Sequence, residues 1–450
     1  MQNINKFVRK GSLVIFGTLI CLRGDFASAQ QASLTTNPSP PSILDQRGIY
    51  SVATFGAKGD SKTDDTDAIQ KALDAAGNGG GGIVFVPTGN YLIKKHLVVP
   101  ENVSLTGVFQ APTARSQLRG STLLAVEGKG TMDGSPFIFL HPNAVLKGIT
   151  VFYPEQDAAE PVPYPWCIRG IGDNCSIIDV LLVNPWNAVD FGTHACGRHL
   201  IRGLYGQPLH LGIFVDQCLD VGRIEDVHFW PFWTEKLIPF TQKDGIAFQF
   251  ARTDWQMLTN CFCLGYRIGF HFTAAGHDAA NALIVNSGPD GCHIGVLVDW
   301  SQVHAGILFQ NCQINAGVQV SEGSLGPVKF MNCGLFGTGH ETPYLAHGDI
   351  KATHALLRGQ GRTTFVGCHF YYPEGPFVPK NFKDEGHPVI YCDGNGLTVS
   401  GCDFTGAKQN HVLLGPKAKS TVITATRFLG GMKLENRGKG KVEAGLNIDE

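Results

Sequence analysis

Two short hydrophobic alternations recur along this chain, and both predict strands. The first has two lead residues and then alternating apolar positions: KGITV, IIDVLLV, RIEDVHF, LTNCFC, LFQNCQI, KFMNCGL, TFVGCHF, TVSGCDF and ITATRF. Aligned, these segments place Ile149, Val180, Val227, Cys261, Cys312, Cys333, Cys368, Cys402 and Thr426 in one column. The second starts at a glycine and reads GIFVD, GIAFQ, GFHFT, GVLVD and GVQVS, from Gly212, Gly245, Gly269, Gly295 and Gly317. A period of two marks a strand with one buried face, and recurrence at roughly 22–35 residues marks a solenoid. The pattern predicts an all-β chain wound as a single parallel β-helix over residues 49–430.

A different period appears near the start, in FGAKGDSKTDDTDAIQKALDAAGNGGGGIVFVPTGNYLI, residues 55–93. Ala68, Ile69, Ala72, Leu73 and Ala76 fall on one helical face, and Thr63 and Asp64 are residues that cap helices. A helix is predicted over about 63–76. The glycine run follows this helix, whereas a phosphate cradle needs glycines that open onto a helix N-terminus. Nucleotide binding is not indicated.

This stretch resembles the N-terminal signature of the pectate-lyase-like superfamily. The resemblance implies a right-handed parallel β-helix whose first helix plugs the N-terminal end of the coil. It also implies relatives among glucanases, pectin-degrading enzymes, epimerases and phage tailspikes. Asp60, Asp64, Asp65 and Asp67 then belong to a structural cap, not to a site.

Charge narrows the partners. The net charge is −2 with 16% charged residues and no basic or acidic tract, so neither nucleic acid nor an anionic membrane is the expected partner. Lys6, Arg9 and Lys10, then LVIFGTLICL, then ASA at 27–29, read as an export signal over 1–29. The apolar run is too short to span a bilayer. A Pro/Ser/Thr/Gln-rich leader at 30–48 and a Gly/Lys/Glu-rich tail at 431–450 flank the solenoid. The expected location is secreted or periplasmic, as a monomer or homotrimer. Asn102 and Asn174 lie in glycosylation sequons. Cysteines recur in one inward column with no zinc spacing, which predicts a ladder of buried thiols.

The two units locate a groove. Val180 to Ala188, Leu204 to Gly212 and Cys261 to Gly269 are each eight residues apart, but Val227 to Gly245 is eighteen. The surplus is WPFWTEKLIP, and a second surplus, YPEQDAAEPVPYPW, precedes CIRGIG. Two long loops therefore leave one edge of the stack, about 14 Å apart, with NPWN and YGQPLH as a floor between them.

Outward positions near that floor carry acids. Asp190 and Asp216 are expected on adjacent coils about 7–8 Å apart, a spacing that leaves room for a water in inverting glycoside hydrolysis. Asp244 is expected beside Asp216 as a third acid, with Glu235 closing over from the long loop. Trp186, Trp230 and Trp233 offer stacking faces for sugars, and His210 and His228 offer hydroxyl contacts or a proton relay. The expected function is a polysaccharide-active glycoside hydrolase needing no cofactor. The alternative is a lyase or epimerase on uronates, with Arg252, Arg267 or Lys243 answering the uronate carboxylate. Calcium-dependent pectate lyases, through the resemblance, would add calcium held by the acids and Arg252 as base. A second alternative is a non-catalytic glycan-binding protein of tailspike type. The Asn-Thr-Asp, Asp-Asp and His-Gly signatures of polygalacturonases do not occur as a set: Asn-Thr-Asp is absent, and Asp-Asp and His-Gly stand only at Asp64–Asp65 and His347–Gly348.

Overall fold

The computed structural model describes residues 48–112, 118–337, 344–372, 386–406 and 410–450. The expected signal and nearly all of the leader lie outside them. Strand after strand pairs in parallel with the strand one coil earlier, and the hairpin Leu345–His347 with Ile350–Ala352 is the antiparallel exception. Each central coil contributes three strands, illustrated by Leu200–Gly206, which bends across two sheets, and Leu211–Val215, which lies on the third. We number the sheets from the one holding Leu211–Val215.

The inward column appears as expected. Val180 pairs with Leu204, and the neighbouring pairs Tyr205–His228 and His228–Phe262 put Val227 and Cys261 in line with them. The same register carries Cys312, Cys333, Cys368 and Cys402, via Gln313–Gly334, Gly334–His369 and His369–Asp403. The twelve described cysteines are free and buried, and desolvation pushes the Cys261 thiol up to about 12. Stacked phenylalanines fill the same interior, with Phe370, Phe404 and Phe428 at centroid spacings of 4.4 and 4.9 Å.

The residue before each column member turns the chain from the second sheet to the third. Asp179, Asp226, Asn260, Asn286, Asn311 and Asn332 all have φ between 50° and 56° there. Left-handed backbone favours Asn, Asp and Gly, which is why the cysteines are preceded by Asn or Gly in NC and GC pairs.

The early helix spans Thr66–Asn78 and buries Ile69, Ala72, Leu73 and Ala76 in the core. Its flanking acids hold backbone: Asp65 accepts from the amides of Lys58 and Gly59, and Asp60 from those of Lys62 and Thr63. The sequon asparagines form a surface ladder, Asn143 Nδ2 donating to Asn102 and Asn174 Nδ2 to Asn143. The expected tail at 431–450 is corrected. Leu434–Asn436, Lys441–Gly445 and Ile448–Asp449 pair with the preceding strands and make one more coil. Glycine and lysine there hide a pattern that backbone pairing still satisfies.

Candidate functional site

The two long loops leave the same edge of sheet one, the edge where its strands begin. One joins Phe152 to Trp166 and the other joins Phe229 to Ile246, with two short corners between them. The floor, however, is not open. Asn184, which is buried, accepts from the Tyr153 amide and donates to the Tyr153 carbonyl, which pins the first loop. Buried Gln207 accepts from the amides of Trp233 and Thr234 and donates to the Thr234 carbonyl, which pins the second. Trp186 is 9% exposed, stacked on His210 at 5.3 Å and packed against Phe240 at 5.6 Å. It braces the second loop and offers no free face to a sugar, so its assignment as a stacking residue is corrected.

At this leading edge a row of functional side chains climbs the stack. The His210 amide bonds the Trp186 carbonyl, the Ile246 amide bonds the His210 carbonyl, and the Ile268 amide bonds the Gly245 carbonyl. Trp186, His210, Gly245 with Asp244 before it, and Arg267 are therefore on successive coils, about 4.8 Å apart. His210 is half-buried, and its Nδ1 lies 2.9 Å from Asn187 Oδ1. With the amide oxygen as acceptor, Nδ1 carries the proton and Nε2 presents its lone pair. Burial lowers the His210 pKa; Asp244 pulls it up and Arg267 pushes it down, so both charges act on the ring. Arg267 and Lys243 are exposed and Asp244 is partly so. The row can take a proton beside a fixed cation.

The carboxylates expected to form the acid pair lie elsewhere. Asp190 is fully buried, with Arg169 Nε at 2.5 Å and donors from the Gly192 and Thr193 amides and the Thr193 hydroxyl. Asp216 is 2% exposed and accepts from the Gln217 and Arg252 amides, with His277 Nδ1 at 2.6 Å. Both are turn-holding anions whose lone pairs are occupied, which corrects their reading as a solvent-facing pair. Asp244 is not beside Asp216 either. Leu211 pairs with Ile246 and Val215 with Phe250, so the two acids stand at opposite ends of the strands. Five strand positions separate even Ile246 from the level of Asp216, about 16 Å. The expectation failed because Asp244 precedes its strand whereas Asp216 follows its own, and Gly245, the C-cap of the helix Ile238–Asp244 bonding the Thr241 carbonyl at 2.8 Å, aligns with His210 and not with Gly212. Glu235 is exposed in the turn Glu235–Leu237 and is not joined to either buried aspartate.

The remaining candidates divide. Arg252 grips Asp254 through both Nη atoms, at 2.5 and 3.0 Å, which raises its pKa; it is a fixed cation, and its assignment as a base or as part of the groove is corrected. His228 and Trp230 point out of sheet three, where with Phe232 and Phe262 they line a shallow cavity of about 460 Å³. Trp233 packs partly against the core. The sequence reading missed Arg169 and His277 as partners of the buried aspartates, since neither carries a local motif and coil register alone brings them in.

The family model described as rhamnogalacturonase A/epimerase, pectate lyase-like, matches residues 49–154. The resemblance to the pectate-lyase-like superfamily therefore stands. Alginate lyase 7 of Azotobacter vinelandii is 46% identical over 71 residues, 14% of this chain and 8% of its own length. The mannuronan C5-epimerase AlgE3 of the same organism is 31% identical over 109 residues, 23% of this chain and 6% of its own. The chain thus spans less than a tenth of the length of these curated relatives. Among solved structures, an N-terminal fragment of the bacteriophage Phi29 gene product 12 superposes with a TM-score of 0.52 at 14% identity, covering 88% of this chain and 65% of that one. That likeness concerns the fold. No helix among the described residues is long and apolar enough to cross a membrane.

Proposed function

We propose that this pectate-lyase-like β-helix is an exported, polysaccharide-modifying enzyme that acts on uronate-containing glycans as a lyase or C5-epimerase. The observation that carries the reading is the row itself: a neutral imidazole with an available lone pair, one coil from a carboxylate and two from an exposed guanidinium. In the proposed step His210 Nε2 removes the proton from the carbon beside the uronate carboxylate, and that C–H electron pair moves into the carboxylate system. Arg267, helped by Lys243, neutralises the charge that builds there. The pair then either expels the neighbouring glycosidic oxygen, giving an unsaturated uronate, or recaptures a proton from the opposite face. Asp244 tunes His210 through its charge. The names of the two curated relatives, an alginate lyase and a mannuronan epimerase, support this class. Hydrolysis by paired carboxylates loses support because Asp190 and Asp216 are occupied. Those same carboxylates are filled by N–H donors and do not fit calcium, so no step runs through it.

The test is a panel of oligouronides followed by ultraviolet absorbance for elimination and by deuterium uptake from heavy water for epimerisation. Expected is one of these signals, lowered about 10²–10⁴-fold by His210→Ala with the chain still folded at the assay temperature. New reducing ends without either signal would mean hydrolysis, and full activity in His210→Ala would remove the base.

A further inference from the structure

We infer that the C-terminal coils carry a second glycan subsite, a polar cavity that binds a carboxylated sugar unit remote from the catalytic row. The cavity is about 490 Å³ and lies where the strands Ala355–Leu357 and Ile390–Cys392 leave sheet one. That volume falls in the range of small-molecule sites. No aromatic side chain lines it, so stacking is not its principle of recognition.

Its wall is unequal in charge. Arg358, Lys417 and Lys419 face Glu322 and Asp393, three cations against two anions, on a chain whose net charge is −2. The Arg358 side chain is only 9% exposed, with Nη1 at 2.9 Å from His347 Nε2 and 3.6 Å from Glu322 Oε1. Its Nε is buried with no partner among the described residues. A buried donor without an acceptor costs about 1–3 kcal/mol, and a ligand oxygen would relieve it. Guanidinium with a carboxylate is the strong form of that contact.

The rest of the lining suits hydroxyls. Gln360 donates to the Glu322 carbonyl and Asn395 donates to the Gln360 carbonyl, which orients both amides and leaves their side-chain oxygens as acceptors. Asp393 uses Oδ1 on the Lys417 amide at 2.6 Å, leaving Oδ2. Cationic donors beside oriented oxygens fit one acid group flanked by hydroxyls, the pattern of a hexuronate. Pairing steps from Leu211–Val215 to Ala355–Leu357 number five, and from Ile268–Phe272 three, so the subsite is about 24 Å along the axis from the His210 coil and about 14 Å from the Arg267 coil. A long polymer crossing sheet one could touch both; a disaccharide could not.

This inference borrows from the proposed function only the acidic nature of the polymer. Calorimetry with a hexameric oligouronide and a neutral hexaglucan, on the full chain, tests it. Lys417→Glu/Lys419→Glu should weaken hexauronide binding roughly tenfold and flatten its salt dependence. Both lysines are exposed, and the Lys417–Glu322 pair at 3.3 Å is a surface one, so the melting temperature should move little. The lysine dependence of this binding should persist in the His210→Ala background. Equal hexauronide affinity in the double variant and the parent, or equal affinity of the parent for the neutral hexamer, overturns the subsite. Lysine-dependent binding without any turnover would instead sink the proposed function and leave the subsite standing.

Discussion

The strands of sheet one carry acidic, basic and imidazole groups at both ends, yet the two ends have opposite characters. Near the trailing end Asp190, Arg169, Asp216, His277, Arg252 and Asp254 are tied to one another or to turn amides. At the leading end His210 feels the charges of Asp244 and Arg267, and these three with Lys243 retain exposure. The difference lies in the turn. A tight trailing turn leaves backbone N–H groups that need an acceptor, and an aspartate supplies it. The leading corner on the Asp244 coil is instead bridged by a sixteen-residue loop whose helix satisfies its own amides. Residue type does not separate a structural carboxylate from a chemical one. The count of N–H groups aimed at it does.

The sharpest way to break this contrast is at Asp190. Asp190→Ala removes the partner of a largely buried guanidinium and three other donors' acceptor, and should cost about 3–5 kcal/mol. Chemical denaturation checks it. A loss within the range of surface substitutions would mean that the trailing network holds nothing together.

A smaller effect is expected at the leading edge from Gln207→Ala. It removes three hydrogen bonds that pin the loop bearing Asp244, and should cost about 1–3 kcal/mol. Limited proteolysis should cut first within residues 230–245, and turnover should fall with the loosened loop. Unchanged cleavage and turnover would show that Trp186 and Phe240 hold the loop without it.

The coil was legible because its signal repeats. Period-two alternation and the Asn–Cys or Gly–Cys pairs place a whole column, and the loop surpluses place a shared edge. The site was only half legible. His210, Asp244 and Arg267 could be named individually, but their alignment depends on where strands restart after a loop. Gly245 looks like the first residue of a repeat and is in fact a helix end. Burial of Asp190 was hidden for another reason, since Arg169 is 21 residues away and becomes a neighbour only through register. Pockets in coils with polar, irregular links, such as that around Arg358, leave no periodic trace.

The finest discrimination comes from pH. His210 is held below the ordinary histidine value of 6.5, so its neutral, proton-accepting form persists as the solution becomes mildly acidic. The acid limb of kcat/KM should therefore lie below pH 6.5. Asp244→Asn removes the charge that raises this pKa and should move the limb lower, whereas Arg267→Ala removes one that lowers it and should move the limb higher. Stability has its own acid limb. Burial depresses His199 and His354 to about 4, so below 6.5 the unfolded chain takes up protons that the folded one refuses. Stability is then full above pH 6.5 and falls between 6.5 and about 4, with no further loss from these groups below that. The part of this limb that comes from His199 and His354 should persist in both row variants, because neither histidine belongs to the row; His210 adds its own part, which moves with its pKa. If Asp244→Asn and Arg267→Ala shift the activity limb in one common direction, His210 is not the group that titrates in catalysis.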